Sequence, residues 1–241
     1  VLVWRKHEKR VSVSILAIVF LGPVGAVLLS NIGRHDVLVL SGALLLGLWG
    51  FKWTAACVAT LLMLAGNPEQ AVVITLCFLA LTWTPAAHKY RGASYLSVAL
   101  ALLGFGLLWV TSYFLEVPSR LSVLDDYLRE SFVAFFSNVP LLLYSGLGIG
   151  FFIVALACTA MPLRGAILVI FSTLVIPLAF TLVTADQTRV LVPLTAAQVL
   201  ALSLWLLPQI FGRIRGPNFA VPTLIVVASL LLPSVVIQYP G

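Results

Sequence analysis

Four short polar segments interrupt an otherwise apolar chain, and they hold most of the side chains that could do chemistry. They are NIGRHD at 31–36, NPEQ at 67–70, DDYLRE at 125–130 and TADQTR at 184–189. Ionisable groups at membrane depth are costly, so those kept near the ends of apolar helices are usually paired or functional. These four segments are therefore the candidate sites.

Two carboxylates, Asp36 and Glu69, each stand at the start of a long apolar run. The helix dipole favours an anion there, so each acid has a purely structural interpretation as a helix-capping residue. The functional interpretation makes Asp36 a general base, which requires hydrogen-bond reach of the proton it removes. Glu69 would support Asp36 or supply an oxygen ligand to a divalent cation such as Mg²⁺ or Mn²⁺. The histidines and cysteines show no metal-ligand spacing, and no metal site is predicted from them.

The TADQTR segment offers two alternatives for Asp186 and Arg189, which lie three residues apart before an apolar run. At that spacing on a helix, the two side chains can form a local ion pair. Alternatively, the planar guanidinium of Arg189 holds a phosphate, whose oxygens it matches in geometry, and Asp186 orients it. The sequence leaves both open.

The composition shows which solvent surrounds these groups. The chain has 241 residues, of which 61% are hydrophobic and 9% are charged. Soluble domains are about 45–50% apolar and about 25% charged, so the composition predicts that this chain lies in a bilayer. The net charge of +6 then indicates orientation in the membrane, and no nucleic-acid partner is predicted.

The apolar runs predict an all-α fold, a polytopic transmembrane helix bundle of roughly eight or nine spans, since a spanning helix needs about 20 apolar residues. The second and third runs are short and are joined by GFKW, as in a tight helical hairpin or a half-buried pair. We expect residues 1–241 to form a single transmembrane domain that is the C-terminal part of a longer chain. The runs are 11–30, 37–51, 53–66, 70–86, 93–115, 133–158, 165–184, 189–208 and 219–237.

The charges predict a sidedness. If the basic segment WRKHEKR is cytoplasmic, as the positive-inside rule prefers, most Lys and Arg residues fall on inner connectors of a multi-pass plasma-membrane protein. Most acids then fall on outer connectors: Asp36, Glu69, Glu116, Asp125, Asp126, Glu130 and Asp186. Aromatic residues fall near the predicted interfaces, as a membrane girdle would: Trp49, Trp53, Trp83, Trp109, Tyr113 and Trp205.

The longest outer connector, EVPSRLSVLDDYLRESFVAFF, has apolar residues at helical spacing with Asp125, Asp126 and Arg129 between them. This pattern is typical of an amphipathic helix lying in the headgroup layer. Such a helix is either a plain interfacial anchor or a lid over a site that takes a lipid substrate. Within the later run at 133–158, Gly146 and Gly150 have the spacing that suits close helix packing.

Two stretches resemble a known family. GRHDVLVLSGALLLGLWGFKWTAACVATLLMLAGNPEQAVV is similar to the middle of a polytopic GT-C-type glycosyltransferase, in which an outer acid begins a span and a second helix ends in a Pro-containing outer turn. DQTRV is similar to a late outer connector of GT-C-like proteins in bacterial surface-polysaccharide pathways. The resemblance covers roughly residues 30–90 and 180–210.

The resemblance implies sugar transfer from a polyprenyl-phosphate carrier on the outer face of the plasma membrane, in cell-envelope glycan assembly. Asp36 and Glu69 would be the catalytic acids, and Arg34, Asp186 and Arg189 would bind the substrate phosphate. Asp36 matches the second of the two acid positions in this family. A first outer loop bearing the principal acid is not visible in this sequence.

Two other classes of protein stay open. A non-catalytic membrane subunit or scaffold would bind membrane-protein partners, and its outer acids would be dispensable. A transporter would be expected to show inverted repeats or broken helices near the midplane, and no repeat is visible. Membrane lipids are expected partners in every case.

Overall fold

The computed structural model describes residues 2–30, 35–115, 120–182, 187–213 and 220–231. Within these ranges it describes the backbone without the side chains at 2–8, 29–30, 120–131, 134, 145, 187–189 and 230–231. The described residues contain helices and no strands, which confirms the all-α prediction.

Twelve α-helices make up the described part of the chain, together with one 3₁₀ turn at His88–Tyr90 and one π turn at Phe171–Val175. The helices are α1 Leu2–Phe20, α2 Pro23–Ser30, α3 Asp36–Trp49, α4 Trp53–Gly66, α5 Pro68–Leu81, α6 Arg91–Phe114, α7 Arg120–Leu147, α8 Gly150–Thr159, α9 Leu163–Ile170, α10 Ile176–Thr181, α11 Gln187–Arg213 and α12 Ala220–Leu231.

Helix α11 is the centre of the bundle. It packs against α1, α2, α3, α5, α7, α8 and α10. In its apolar stretch 89% of residues are buried, compared with 22% in the stretch that contains α6. An apolar helix that is buried on all sides forms a core, whereas α6 leaves a wide apolar face uncovered by the described protein.

Three described segments are long and apolar enough to cross a membrane: His88–Phe114, Leu163–Thr181 and Val190–Arg213. The helices α3, α4 and α5 have 14 residues each. At the α-helical rise this is about 21 Å, which is shorter than a hydrocarbon core of about 30 Å. The structure therefore shows membrane-type helices without showing eight or nine spans, because the count of apolar runs ignores the turns that shorten them.

Helices α3 and α4 form the tight hairpin that was one of the two alternatives for GFKW. A Cβ atom on Gly42 would lie 2.5 Å from the Ala59 carbonyl oxygen and 2.6 Å from Met63 Cγ. A Cβ atom on Gly66 would lie 2.6 Å from the His35 carbonyl oxygen. These two glycines let the backbones of α3 and α4 approach closely, at Gly42 in the middle of the hairpin and at Gly66 at its open end, as small residues do between membrane helices.

Helix α7 runs without a break from Arg120 to Leu147, with Pro140 inside it. The predicted interfacial segment is its first part, and the side chains of Asp125, Asp126 and Arg129 lie outside the described residues. The predicted run at 133–158 breaks at Gly148, whose φ of 49° is left-handed and suits glycine. Gly146 and Gly150 flank this break, and Cβ atoms there would meet Leu191 and Val199 of α11, so both pack closely as predicted.

The segment from α9 to α10 is one continuous helical rod that widens at its π turn. Pro177 follows the π turn and has no N–H group to donate. The backbone N–H of Ile176 donates to the Phe171 carbonyl oxygen, five residues back. Across the interface, Gln198 Nε2 of α11 donates a long 3.5 Å hydrogen bond to the Ser172 carbonyl oxygen. An amide side chain thus supplies the donor that the proline removes.

Candidate functional site at the acidic end of the bundle

The structure confirms that Asp36 begins a helix. It is the first residue of α3, it is half-buried, and exposed His35 precedes it. The N–H groups of the first helical turn have no partners within the helix, and the dipole adds positive potential there. Asp36 therefore lies where helices commonly carry an acidic residue.

Glu69 lies in the first turn of α5 and is also half-buried. The turn before it is fixed by Asn67, whose side-chain oxygen accepts a 3.0 Å hydrogen bond from the Gln70 backbone N–H. Pro68 occupies the first helical position, where its fixed φ fits and its missing N–H costs nothing. Sequence and structure agree that NPEQ is a helix start, and the cap orients the turn that carries Glu69.

The starts of α3 and α5 are neighbours. The α4 helix ends at Gly66, directly against His35 and Val39 in the first turn of α3. Only Asn67 separates Gly66 from α5. The α3–α4–α5 unit therefore brings the two predicted catalytic acids, Asp36 and Glu69, to the same end of the bundle.

Helix α11 begins at this same end. Gly47 of α3 packs on Ala197 and Leu200 of α11. Leu44, one turn earlier in α3, faces a small cavity with Val192 and other residues of the first half of α11. Gly146 and Gly150 meet Leu191 and Val199 in the same order along the chain, so α11 runs parallel to α7. Helix α6 starts where α5 ends and packs back along it, and α7 begins shortly after α6, so α11 begins at the end that carries Asp36 and Glu69.

The predicted phosphate-binding residues are only partly placed. Arg189 lies in the first turn of α11, and its side chain is outside the described residues. Arg34 and Asp186 lie outside the described residues altogether. The structure thus places Asp36, Glu69 and the backbone of Arg189 at the same end of the bundle.

Cations mark the opposite end. Lys52 follows α3, and Lys89 and Arg91 lie where the connection from α5 enters α6. Arg164 lies in the first turn of α9, and Arg213 ends α11. Of the acids, only Asp36 and Glu69 have described side chains, and both lie at the other end. We call the end formed by the starts of α3, α5 and α11 the acidic end, and we call the opposite end the basic end.

Exposed aromatic side chains occur at both ends. Trp49, Trp53 and Trp83 lie at the basic end, and Trp109 and Tyr113 lie near the end of α6 at the acidic end. Five of the six aromatic residues predicted to form a girdle are thus exposed near helix ends, whereas Trp205 lies inside α11 and packs partly buried against the core. The sequence predicts that this run ends at 208, close to Trp205, but α11 continues to Arg213. Trp205 therefore lies further from the end of the helix than predicted.

The cavity between α1, α2, α3, α7 and α11 does not suit a substrate. Its volume is about 20 Å³, which holds about one water molecule. Its walls are apolar apart from Thr195, whose hydroxyl already donates to the Leu191 carbonyl oxygen at 3.0 Å. The polar surface of the acidic end is the better candidate site.

The chemistry available at the acidic end is that of two carboxylates on adjacent helix starts. Such groups can accept a proton or provide oxygen ligands for a hard cation. Among the residues described, no set of three His, Cys, Asp or Glu side chains is close enough to form a metal site. A divalent cation held by Asp36 and Glu69 would therefore need further oxygen ligands, either from side chains outside the described set or from a bound substrate.

Sequence reasoning missed the polar groups in the interior. Gln198 is fully buried near the middle of α11, opposite buried Ser172 and Thr173 of the π turn. A glutamine inside the apolar run at 189–208 is a visible signal, because a polar side chain at membrane depth is costly without a partner. The partner of Gln198 is the backbone carbonyl of Ser172, near Pro177, which has no N–H group to donate. This pairing could not be identified without the fold.

Comparison with protein-family models, curated proteins and solved structures gives no match to this chain.

Proposed function

We propose that the chain is a membrane glycosyltransferase-like protein that acts at the acidic end of the bundle. In this proposal it transfers a sugar from a polyprenyl-phosphate carrier, on the outer face of the plasma membrane, during assembly of a cell-envelope glycan. The observation that carries the proposal is the position of Asp36 and Glu69 on neighbouring helix starts, at the end opposite Lys52, Lys89, Arg91, Arg164 and Arg213. The resemblance of roughly residues 30–90 and 180–210 to GT-C-type enzymes adds the substrate class.

The reaction assigned to this site is a displacement at the anomeric carbon of the donor. The oxygen of an acceptor hydroxyl forms a bond to that carbon, and the bond from the carbon to the phosphate oxygen breaks. Asp36 takes the proton of the hydroxyl, and the electron pair leaves with the polyprenyl phosphate. Proton removal by a positioned base contributes typically about 10²–10⁴-fold to the rate.

Glu69 is the neighbouring carboxylate. It holds the acceptor hydroxyl or supplies a ligand to a divalent cation, which would neutralise charge on the leaving phosphate. Arg34 and Arg189 are assigned to the phosphate of the donor, because a guanidinium matches its oxygens. Asp186 is assigned to orient Arg189. Hydrogen-bond donors aimed at developing charge are commonly the largest electrostatic contribution to such a step.

The amphipathic first part of α7 is assigned to the outer headgroup layer. Leu142 and Gly146 pack beside Leu191, close to the start of α11, so the preceding residues of α7 extend past that start. The first part of α7 would therefore lie between the acidic end and the surface of the bilayer. Asp125, Asp126 and Arg129 would face the headgroups or cover a lipid-linked donor. The shorter apolar helices are likewise proposed to lie in the membrane, with the basic segment WRKHEKR, in the first part of α1, in the cytoplasm.

The test is a transfer assay in proteoliposomes. The donors are polyprenyl-phosphate-linked glucose, mannose and N-acetylglucosamine with a radiolabelled sugar, and the acceptors are extracted membrane glycans. Asp36→Asn should lower transfer by about 10²-fold or more, since it removes the base but preserves the shape. Glu8→Gln, in α1, is the matched control and should keep wild-type transfer. Wild-type turnover by both Asp36→Asn and Arg189→Ala would refute the assignment.

A non-catalytic subunit is the second candidate function, and the exposed face of α6 favours it. Leu102, Trp109 and Tyr113 are exposed along this face. A partner membrane protein would bury it. Co-purification of a stoichiometric partner, together with full activity of that complex after Asp36→Asn and Glu69→Gln, would support the subunit role over the enzyme.

A further inference from the structure

Two cations at the basic end are held against aromatic rings. Lys89 Nζ lies 4.9 Å from the centroid of the Phe51 ring and 5.0 Å from that of Tyr90. The guanidinium carbon of Arg91 lies 4.3 Å from the centroid of Trp83. Aromatic faces attract cations at such distances and limit the positions the charged groups sample. The two charges are thus preorganised.

The backbone between the two cations is anchored. Tyr90 is fully buried, and its ring makes edge contacts with Phe51 and Phe78 at centroid distances of 5.8 Å and 5.3 Å. Arg91 Nη2 donates a 3.1 Å hydrogen bond to the Thr82 carbonyl oxygen. The side chains of Lys89 and Arg91 therefore extend from a firmly anchored part of the backbone.

These cations retain capacity to bind an anion. The acids with described side chains, Asp36 and Glu69, lie at the acidic end, far from Lys89 and Arg91. A lysine ammonium has three N–H donors and a guanidinium has five, so the described contacts use only part of them. A phosphate group has the charge and the oxygens to accept the rest.

The side chains around Lys89 and Arg91 indicate that this phosphate belongs to a lipid. Trp53 and Trp83 are 58% and 57% exposed beside the two cations. A Cβ atom on Gly92 would lie 3.4 Å from Trp53 Cζ2, so the Trp53 ring reaches across to α6. Exposed tryptophans beside lysine and arginine at helix ends are typical of the membrane interface, where lipid headgroups lie.

We propose that this surface, formed by Phe51, Trp53, Trp83, Lys89 and Arg91, binds an anionic phospholipid. The headgroup phosphate accepts hydrogen bonds from Lys89 and Arg91, and the tryptophan rings pack on the glycerol and upper acyl chains. Basic clusters at the ends of membrane helices recognise anionic headgroups in this way. The proposal does not depend on the glycosyltransferase assignment, which concerns the other end of the bundle.

The experiment is native mass spectrometry of the purified full chain, titrated in detergent with phosphatidylglycerol or with phosphatidylcholine of the same acyl chains. Phosphatidylglycerol should be retained preferentially. Lys89→Gln with Arg91→Gln should weaken its retention at least about tenfold, since each cation near anionic lipid is worth a factor of roughly five. Arg164→Gln with Arg213→Gln removes the same charge from the same end and should change retention less than about twofold.

Two outcomes would overturn the proposal. One is equal loss of phosphatidylglycerol in both double variants, which would mean that only total charge matters. The other is displacement of the lipid by inorganic phosphate at the same concentration, which would mean that the site recognises phosphate alone. If the Lys89 and Arg91 double variant does not elute as a single species, Lys89→Gln alone decides the matter with an expected loss of about fivefold, and Lys89→Arg should restore retention.

Discussion

The hydroxyl group of Tyr90 donates a 2.8 Å hydrogen bond to the backbone carbonyl oxygen of Gly47, joining two positions 43 residues apart. Gly47 is among the last residues of α3, whose final carbonyls have no partners within the helix. Tyr90 is fully buried, so water does not satisfy either group. This bond closes the end of α3 against the entry to α6 and fixes the connector that carries Lys89 and Arg91.

Tyr90→Phe should therefore destabilise the protein. The change keeps the ring contacts with Phe51 and Phe78 but leaves the Gly47 carbonyl buried without this donor, at a cost of about 1–3 kcal/mol. Tyr95→Phe is the matched control, because Tyr95 is 50% exposed, and its effect should stay below about 0.5 kcal/mol. Thermal unfolding in detergent, followed by tryptophan fluorescence, measures both. Equal midpoints for the two variants would show that the bond contributes nothing.

The α3–α4 hairpin gives a second prediction, based on glycine. Gly42→Ala should destabilise the protein by about 1–3 kcal/mol, because its Cβ atom would lie 2.5 Å from the Ala59 carbonyl oxygen, a backbone atom that cannot turn aside. Gly106→Ala should instead stabilise it by up to about 1 kcal/mol, because nothing lies within 4 Å and alanine is the better helix former. Chemical denaturation of both variants checks the opposite signs. A stabilised Gly42→Ala variant would contradict the close approach.

Local patterns predicted the helix starts and the general architecture. The all-α fold follows from composition, and the starts at Asp36 and Glu69 follow from an acid or an Asn-Pro pair placed before an apolar run. The short runs on either side of GFKW left a tight hairpin and a half-buried pair as alternatives, and the structure shows the hairpin. Each of these depends on residues close together in sequence, so each was visible without the fold.

Pairings distant in sequence were not predictable in this way. The contact of Gly66 with His35, the Tyr90 bond to Gly47 and the Gln198 bond to Ser172 all need the packing of whole helices. The number of spans also could not be read from hydropathy, because breaks such as Gly148 and short turns divide apolar runs without adding charge. For the site, the sequence identified Asp36 and Glu69, and the fold added that their helices begin side by side.

The Gln198 bond to Ser172 leads to a third prediction. Gln198→Leu should cost about 0.5–1.5 kcal/mol, because it removes the 3.5 Å hydrogen bond to the carbonyl of buried Ser172. Pro177→Ala supplies a backbone N–H beside the π turn, so in that background Gln198→Leu should cost measurably less. The double-mutant cycle of unfolding free energies should give a coupling of roughly 0.5–3 kcal/mol. Additive effects would show that Gln198 and Pro177 act independently.

Sidedness is the basis of the fourth prediction. Exposed His35 precedes α3 at the acidic end, and exposed Lys52 follows α3 at the basic end. In a chain with Cys57, Cys77 and Cys158 replaced by alanine, His35→Cys and Lys52→Cys should react with a membrane-impermeant maleimide from opposite sides of sealed vesicles. Val58→Cys, half-exposed in the middle of α4, should stay unlabelled from both sides because lipid excludes the charged reagent. Labelling of His35→Cys and Lys52→Cys from one side would mean that the short α3 helix does not cross the bilayer, and the cations and acids would then share a face.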